Sequence, residues 1–435
     1  MTLNYLVSSG GRLQGTLAVP GDKSISHRAV MLGALAEGVT RITGFLEGED
    51  ALATMNAFRA MGVEIEGPAE GRVTIRGVGM RGLKAPAQPL DCGNSGTSMR
   101  LLSGLLAGQD FDACLTGDSS LSRRPMNRIA VPLRAMGAVL ETGPEGRPPV
   151  CVRGGQRLTG LRYALPMASA QVKSCVLFAG LYAQGRTCVV EPAPTRDHTE
   201  RMLEAFGYPV EREGATVCVE GGGRLTATAI EVPADISSAA FFLVAASIAP
   251  GSDLTLLNVG VNPTRAGIVE ILKAMGADIA LTNARRLGGE PVADIRVRYA
   301  PLRGIQIPEG LVPLAIDEFP ALFIAAANAT GETLLTGAEE LRVKESDRIQ
   351  VMAEGLWALG VEAVPTPDGI RIRGGAYTGG EIDSHGDHRI AMSFAVAALR
   401  AGGDIRIRDC ANVATSFPGF VALANRAGLR VTAQP

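Results

Sequence analysis

Six short polar segments each stand directly before an apolar, helix-forming run: GDKSISHR, GNSGTS, ASAQVKS, ADISS, AIDEFP and GDHR. In the first turn of a helix the backbone N–H groups lack partners and the macrodipole is positive, so each segment is a potential anion site. The cations fall in matching places: Lys23 and Arg28 in the first segment, Arg124 in LSRRPM, Arg196 in TRDHTE, Lys344 and Arg348 in RVKESDR, and Arg389 in GDHR. An arginine fork grips carboxylate or phosphate bidentately, and lysine adds a compact, mobile charge. Any one of these residues is ordinarily a solvated surface group. Their recurrence at equivalent turns points instead to a site for a substrate pair with several phosphate and carboxylate charges. All four histidines, His27, His198, His385 and His388, lie in or beside these segments. The acid and base candidates are Asp317 and Glu318 at the start of the fifth helical run and Glu345 between Lys344 and Arg348. A carboxylate beside cations stays ionised, whereas a desolvated one can hold a proton, so one chain can supply both a base and an acid. Asp317 can equally be a plain helix N-cap.

Two recurrences show what positions these groups. The first is a helical run ending in Gly and followed by a strand-like stretch: MLGALAEGVTRI, LSGLLAGQDFDACL, FAGLYAQGRTCVV, LVAASIAPGSDLTL, IAAANATGETLL and AVAALRAGGDIRI. The second is a helix end with Gly leading into a strand: FRAMGVEI, LRAMGAVL, LEAFGYPV, LKAMGADI, LWALGVEA and ANRAGLRV. Each reads as helix, glycine cap, strand, and the two alternate along the chain. Successive copies lie about 70 residues apart, longer than the usual solenoid periods, so each unit has room for a βαβαββ arrangement. The class is α/β, with six such units. The helices are rich in Ala, Leu, Val and Met around most of their circumference, which predicts helices inside and sheets outside. A structural solenoid without catalysis would carry the same repeats, which establish architecture and not function.

At 435 residues, with 46% apolar and 20% charged content, the chain is composed like a globular protein of two domains. A net charge of −2 gives no global field to attract nucleic acid or an anionic membrane. The N-terminal MTLNYLVSSGG lacks a basic region followed by a long apolar core, and the best apolar run, Ala239 to Ala249, is too short to span a bilayer. A cytoplasmic protein is expected. Its seven cysteines are odd in number and scattered, without a CxxC pair, and read as reduced, mostly buried thiols. No zinc-type Cys/His grouping, GxSxG elbow or HExxH helix occurs, and VPGDKS lacks the spacing of a nucleotide phosphate loop.

The segments PGDKSISHRA, DCGNSGTSMR, SRRPM, SAQVKS, RDHTE, NPTR, IDEFP, RVKESDR, GDHRIAMS and TSFPGF stand together in one order along the chain. In this the chain resembles the EPSP synthase family, the 3-phosphoshikimate 1-carboxyvinyltransferases, and GDKS, SAQVK, RDHTE and NPTR are similar to its class II branch. The resemblance implies a two-domain inside-out α/β barrel, each domain of three βαβαββ units with buried helices and outer sheets. The upper domain would span residues 21–242, and the lower, discontinuous one residues 1–20 plus 243–435, with the active site in the interdomain cleft. The activity implied is transfer of the enolpyruvyl group of phosphoenolpyruvate to the 5-hydroxyl of shikimate 3-phosphate, in the shikimate pathway of aromatic amino-acid biosynthesis. It needs no cofactor, metal or covalent nucleophile. The implied partners are these small molecules, with no nucleic acid and no membrane, and the protein would be a monomer.

Carried over by motif, Lys23, Ser24, Arg28, Ser169, Gln171, Arg196, Asp317 and Lys344 would contact shikimate 3-phosphate. Lys23, Asn94, Gly96, Arg124, Gln171, Arg348 and Arg389 would contact phosphoenolpyruvate. The resemblance makes Asp317 the base, Glu345 the acid and Lys23 an electrostatic and proton-transfer partner, with His388 assisting. Gly96 leaves room beside phosphoenolpyruvate for the larger analogue glyphosate. The chain departs from one branch of the family at Thr415, where a lysine would supply a further cation. The rival with the same fold and donor, UDP-N-acetylglucosamine enolpyruvyl transferase, carries a cysteine five residues before its Arg-Pro pair, where this chain has Ser119. A noncatalytic repeat scaffold would need none of Asp317, Glu345 or Lys23. An RNA 3′-phosphate cyclase relative would need a nucleotide, and no basic face supports one.

Overall fold

Twelve α-helices of the described residues, 3–435 of a computed structural model, fall into pairs. In chain order they are α1 (Lys23–Leu35), α2 (Glu49–Ala60), α3 (Gly96–Leu106), α4 (Asn127–Ala135), α5 (Ala170–Gly180) and α6 (His198–Ala205), then α7 (Ile236–Ile248), α8 (Gly267–Ala274), α9 (Phe319–Ala327), α10 (Arg348–Ala358), α11 (His388–Ala397) and α12 (Phe420–Ala427). The first of each pair is buried almost all round: every residue of α7 and α9 is inside, as is α1 from Ile25 to Leu35. These helices carry no charged residue beyond their first two turns, so nothing resists complete burial. The second of each pair is amphipathic. In α8, Ile268, Val269, Ile271 and Leu272 are buried while Glu270 and Lys273 reach solvent. Full burial, worth about 1.5–3 kcal/mol for each large apolar side chain, thus applies to one helix of each pair. The other closes the layer.

The chain divides into two compact units. One takes the chain up to Pro20 with Pro233–Arg286 and Glu290–Pro435; the other takes Gly21–Val232 with Leu287–Gly289. The 21–232 unit has three four-stranded sheets of one design, in which a parallel edge strand is followed by two antiparallel neighbours. In the first sheet, Ala229–Glu231 runs parallel to Glu37–Thr43, which pairs antiparallel with Arg72–Val78 and so to Glu64–Ala69. Val73 and Ile75 point inward while Arg72 and Arg76 face out, the alternation of a sheet covered on one side. The other unit also has three sheets. Its N-terminal strand Asn4–Val7 lies between Ile405–Arg408 and Val431–Gln434, and Gln14–Leu17 runs parallel to Asp253–Leu256 in a second sheet. These pairings explain why the unit is discontinuous. Its third sheet keeps three strands, the fourth being reduced to isolated bridges, Arg303 with Thr330 and Gln306 with Leu334.

Two expectations need correction. A boundary at 242 would cut through α7, whose thirteen residues are all buried within one core. The crossing lies at 232/233: Val232 N–H donates to Thr43 O at 2.9 Å in one unit, and Ala234 N–H to Asn258 O at 2.9 Å in the other. Four of the seven cysteines are disulfide-bonded, Cys114 to Cys151 and Cys188 to Cys218, with only Cys92, Cys175 and Cys410 free and buried. Each bonded pair stands directly opposite across neighbouring antiparallel strands, with Cα atoms 4.0 and 4.1 Å apart. Register, which spacing along the chain does not reveal, brings them together. Among the described residues no helix is long and apolar enough to cross a membrane.

Candidate active site

The six helix starts are not equivalent. Asp22, Asp235 and Asp387 cap α1, α7 and α11, each accepting a backbone N–H bond from the first turn, and so place a negative charge at that positive end. The caps of α3 and α5 are the neutral hydroxyls Ser95 and Ser169, accepting from Ser98 N–H and Val172 N–H. Two ends therefore carry no negative cap charge to oppose an anion, and both lie in the 21–232 unit. They adjoin: Gln171 Nε2 donates to Thr97 Oγ1 at 3.0 Å, and Arg100 Nη1 to Gln171 Oε1.

Around these ends the structure gathers four of the expected phosphoenolpyruvate contacts. Arg124 Nη2 donates to Asn94 Oδ1 at 2.7 Å and to Ser120 Oγ at 3.3 Å. A Cβ on Gly96 would stand 2.9 Å from Arg100 Nη1 and 3.2 Å from Arg124 Nη1, so glycine is what lets both guanidinium groups close over the helix end. Arg100 went unrecognised from sequence. Its signal was present: it follows Gly96 by four residues, one turn along the same face of α3. Lys23 is ion-paired with Asp50 in the first turn of α2. Arg28 is 2% exposed and directs its donors to Thr199 Oγ1 (2.7 Å), Ser174 Oγ (2.8 Å) and the Ser24 carbonyl (2.9 Å), tying α1 to α5 and α6.

His27 is fully buried beside these cations, with Nδ1 2.7 Å from Thr54 Oγ1. Burial first, then Lys23 and Arg28, hold its pKa well below the ordinary 6.5. With the folded value depressed, its contribution to stability is complete above about pH 6.5 and is lost as the pH falls toward the folded value. Urea-unfolding free energy is expected to decline below pH 6.5 more steeply in the wild type than in His27→Gln; parallel profiles would refute the assignment.

Arg196 also lies in the 21–232 unit, and the remaining expected residues gather in the other unit. Arg348, 1% exposed at the start of α10, donates from Nε to Asp387 Oδ2 (2.8 Å), from Nη2 to Glu345 Oε2 (2.6 Å) and from Nη1 to Asp317 Oδ1 (3.3 Å). Burial opposes its charge, but Asp387 and Glu345 outweigh that and hold its pKa above the ordinary value. Lys344 Nζ lies 3.6 Å from Asp317, and Arg389 Nη1 donates to the Asp317 carbonyl at 3.0 Å. Burial and the neighbouring Arg348 pull the Arg389 pKa below its ordinary value. Asp317 is not a helix cap, since α9 starts at Phe319 with Glu318 as its cap residue. Its carboxylate belongs to the cation cluster. Glu318 is buried as well, bonded by Ser237 Oγ and 3.6 Å from Arg265 of the NPTR segment. His388 opens α11, 4% exposed. Thr415 is buried and donates to the Asn412 carbonyl at 2.7 Å.

Repeated sheets over buried helices, two helix ends with neutral caps beneath paired arginines, and a carboxylate held between arginine and lysine define a class of α/β enzyme built to act on small polyanions. The family model for EPSP synthase (3-phosphoshikimate 1-carboxyvinyltransferase) matches residues 7–423. The chain belongs to the EPSP synthase family. It is 69% identical over 427 residues to the 3-phosphoshikimate 1-carboxyvinyltransferase of Methylococcus capsulatus, covering 98% of each chain. It is 70% identical over 431 residues to that of Alkalilimnicola ehrlichii, covering 99% of this chain and 97% of the relative. An EPSP synthase structure from Acinetobacter baumannii matches with a TM-score of 0.89 at 60% identity over 100% of both chains. The enolpyruvyl transferase NikO from Streptomyces tendae, at 18% identity and a TM-score of 0.80 over 100% of both chains, shares the fold.

Proposed function

We propose that this enzyme transfers the enolpyruvyl group of phosphoenolpyruvate to the 5-hydroxyl of shikimate 3-phosphate, releasing phosphate. The observation that carries the reading is the Asp317 carboxylate set between Arg348 and Lys344, a base with its counter-charges supplied. Asp317 takes the proton of the 5-hydroxyl as its oxygen bonds to C2 of phosphoenolpyruvate, while an acid protonates the methylene carbon. The tetrahedral adduct then expels phosphate, which leaves with the proton Asp317 took from the hydroxyl; Asp317, a carboxylate again, removes a methyl proton to restore the double bond, and that proton returns to the acid. The acid is Glu345. Its 2.6 Å contact with Arg348 favours the ionised form, and the negative charge of phosphoenolpyruvate, competing for the same guanidinium, relaxes that hold. Lys23 and His388 assist with charge and proton transfer.

Shikimate 3-phosphate is bound by Ser24, Arg28, Ser169, Gln171, Arg196 and Lys344, and phosphoenolpyruvate by Asn94, Gly96, Arg124, Gln171, Arg348 and Arg389. The closeness of Asn94, Gly96, Arg124 and Gln171 supports the second group. The enzyme acts as a monomer in the cytoplasm.

Phosphate release from phosphoenolpyruvate, measured with shikimate 3-phosphate and separately with UDP-N-acetylglucosamine and no added metal, tests the reading. Release only with shikimate 3-phosphate is expected. Release only with the sugar nucleotide would transfer the chain to the rival activity, and release with neither would leave a scaffold.

A further inference from the structure

Lys173 has no place in the proposed chemistry, yet it is 0% exposed, where lysine is seldom found without a partner. Its ammonium lies 2.7 Å from Glu200 Oε1 and 3.1 Å from Glu191 Oε2, and 3.5 Å from the Thr195 carbonyl. Glu191 in turn accepts the Thr195 N–H at 3.2 Å and the Thr195 hydroxyl. Every one of these partners belongs to the segment 191–200, EPAPTRDHTE, at whose middle stands Arg196. Downstream of it, Thr199 is held by Arg28 and by Ser174, the residue after Lys173, with oxygens 2.7 Å apart in the latter contact. The backbone is thus anchored immediately before Arg196 through Thr195 and again shortly after it through Thr199 and Glu200.

Stability alone does not account for this cluster. Lys173 and Glu200 are fully buried and Glu191 partly so, and apolar side chains of similar volume commonly serve a core at least as well as such a pair. What a buried, fully directed ion cluster supplies is a single fixed geometry. The SAQVKS and RDHTE segments, far apart in the chain, are two halves of it.

We infer that Lys173 is a positioning residue, which fixes the 191–200 segment so that Arg196 is held in one place for its anionic substrate. This rests on the reading of Arg196 as a shikimate 3-phosphate ligand, and it adds to that reading the residue through which the ligand is held. Lys173 does not touch the reacting atoms and acts through Arg196 alone.

The test is steady-state kinetics with both substrates on the full-length enzyme, using Lys173→Met, Arg196→Ala and the double variant. Lys173→Met is expected to raise KM for shikimate 3-phosphate about tenfold, the loss of roughly one charge-assisted contact, while KM for phosphoenolpyruvate and kcat stay within about twofold. The double variant is expected to be no worse than Arg196→Ala, because the two losses are one loss. Should Lys173→Met fail to fold, Glu191→Ala carries the same test, since it removes the acceptor that holds Thr195 and keeps the Lys173–Glu200 pair. Wild-type affinity in a folded variant, equal losses for both substrates, or effects that add with Arg196→Ala would each overturn the inference. If the wild type does not turn over shikimate 3-phosphate at all, the functional reading fails first and visibly, and the inference falls with it.

Discussion

Asp317→Asn is expected to lower kcat by about 10²–10⁴-fold, the usual worth of a positioned general base, with little change in thermal stability. The amide keeps the size and most of the hydrogen-bonding outline of the carboxylate but cannot take a proton from a hydroxyl. Arg348 would retain Asp387 at 2.8 Å and Glu345 at 2.6 Å, so the buried guanidinium is not left without counter-charge. Lys344 would retain Glu340 at 3.6 Å. The loss should therefore appear in turnover and not in the melting temperature. Phosphate release under saturating substrates, read beside a thermal melt, checks this. Activity within about tenfold of wild type in a folded Asp317→Asn variant would remove Asp317 from the role of base.

The second large effect is on stability. Asp387 is wholly buried and accepts four bonds: from Arg348 Nε at 2.8 Å and Nη2 at 3.3 Å, from Ser346 Oγ at 3.0 Å, and from the Arg389 N–H at 2.9 Å as the cap of α11. Asp387→Ala removes the one fully buried carboxylate among the partners of an almost fully buried arginine, and breaking such a pair costs about 3–5 kcal/mol. Loss of the cap adds about 1 kcal/mol. For a unit of roughly 200 residues this corresponds to a fall in Tm of about 10 °C or more. Differential scanning calorimetry would read it. A shift below about 3 °C would mean that Glu345 and Asp317 suffice to hold Arg348, and that the cluster is less dependent on Asp387 than its geometry implies.

How much of this could be read before the fold was known varies from element to element. The buried helices were legible because α7 and α9 lack any charged residue within their spans, and a helix apolar all round has to be enclosed. The polar turns before them were legible because Asp, Ser and Gly signal helix starts wherever they precede an apolar run. Which residue of such a turn caps the helix was not legible from the same cue. In IDEFP either acidic residue could be the cap in sequence, and the fold puts Glu318 at the cap and leaves Asp317 to the cations.

The order of residues along this chain determined the repeat, the class of each element and the supply of cations and carboxylates, because these follow from local periodicity and side-chain chemistry. The tertiary structure decided which of them meet. Cys114 with Cys151, Lys173 with Glu200, and Arg348 with Asp387 are separated by 37, 27 and 39 positions and are joined only by strand register and helix packing. A strand displaced by one residue turns every side chain to the opposite face, so these contacts depend on how the whole core packs and cannot be read from any one segment.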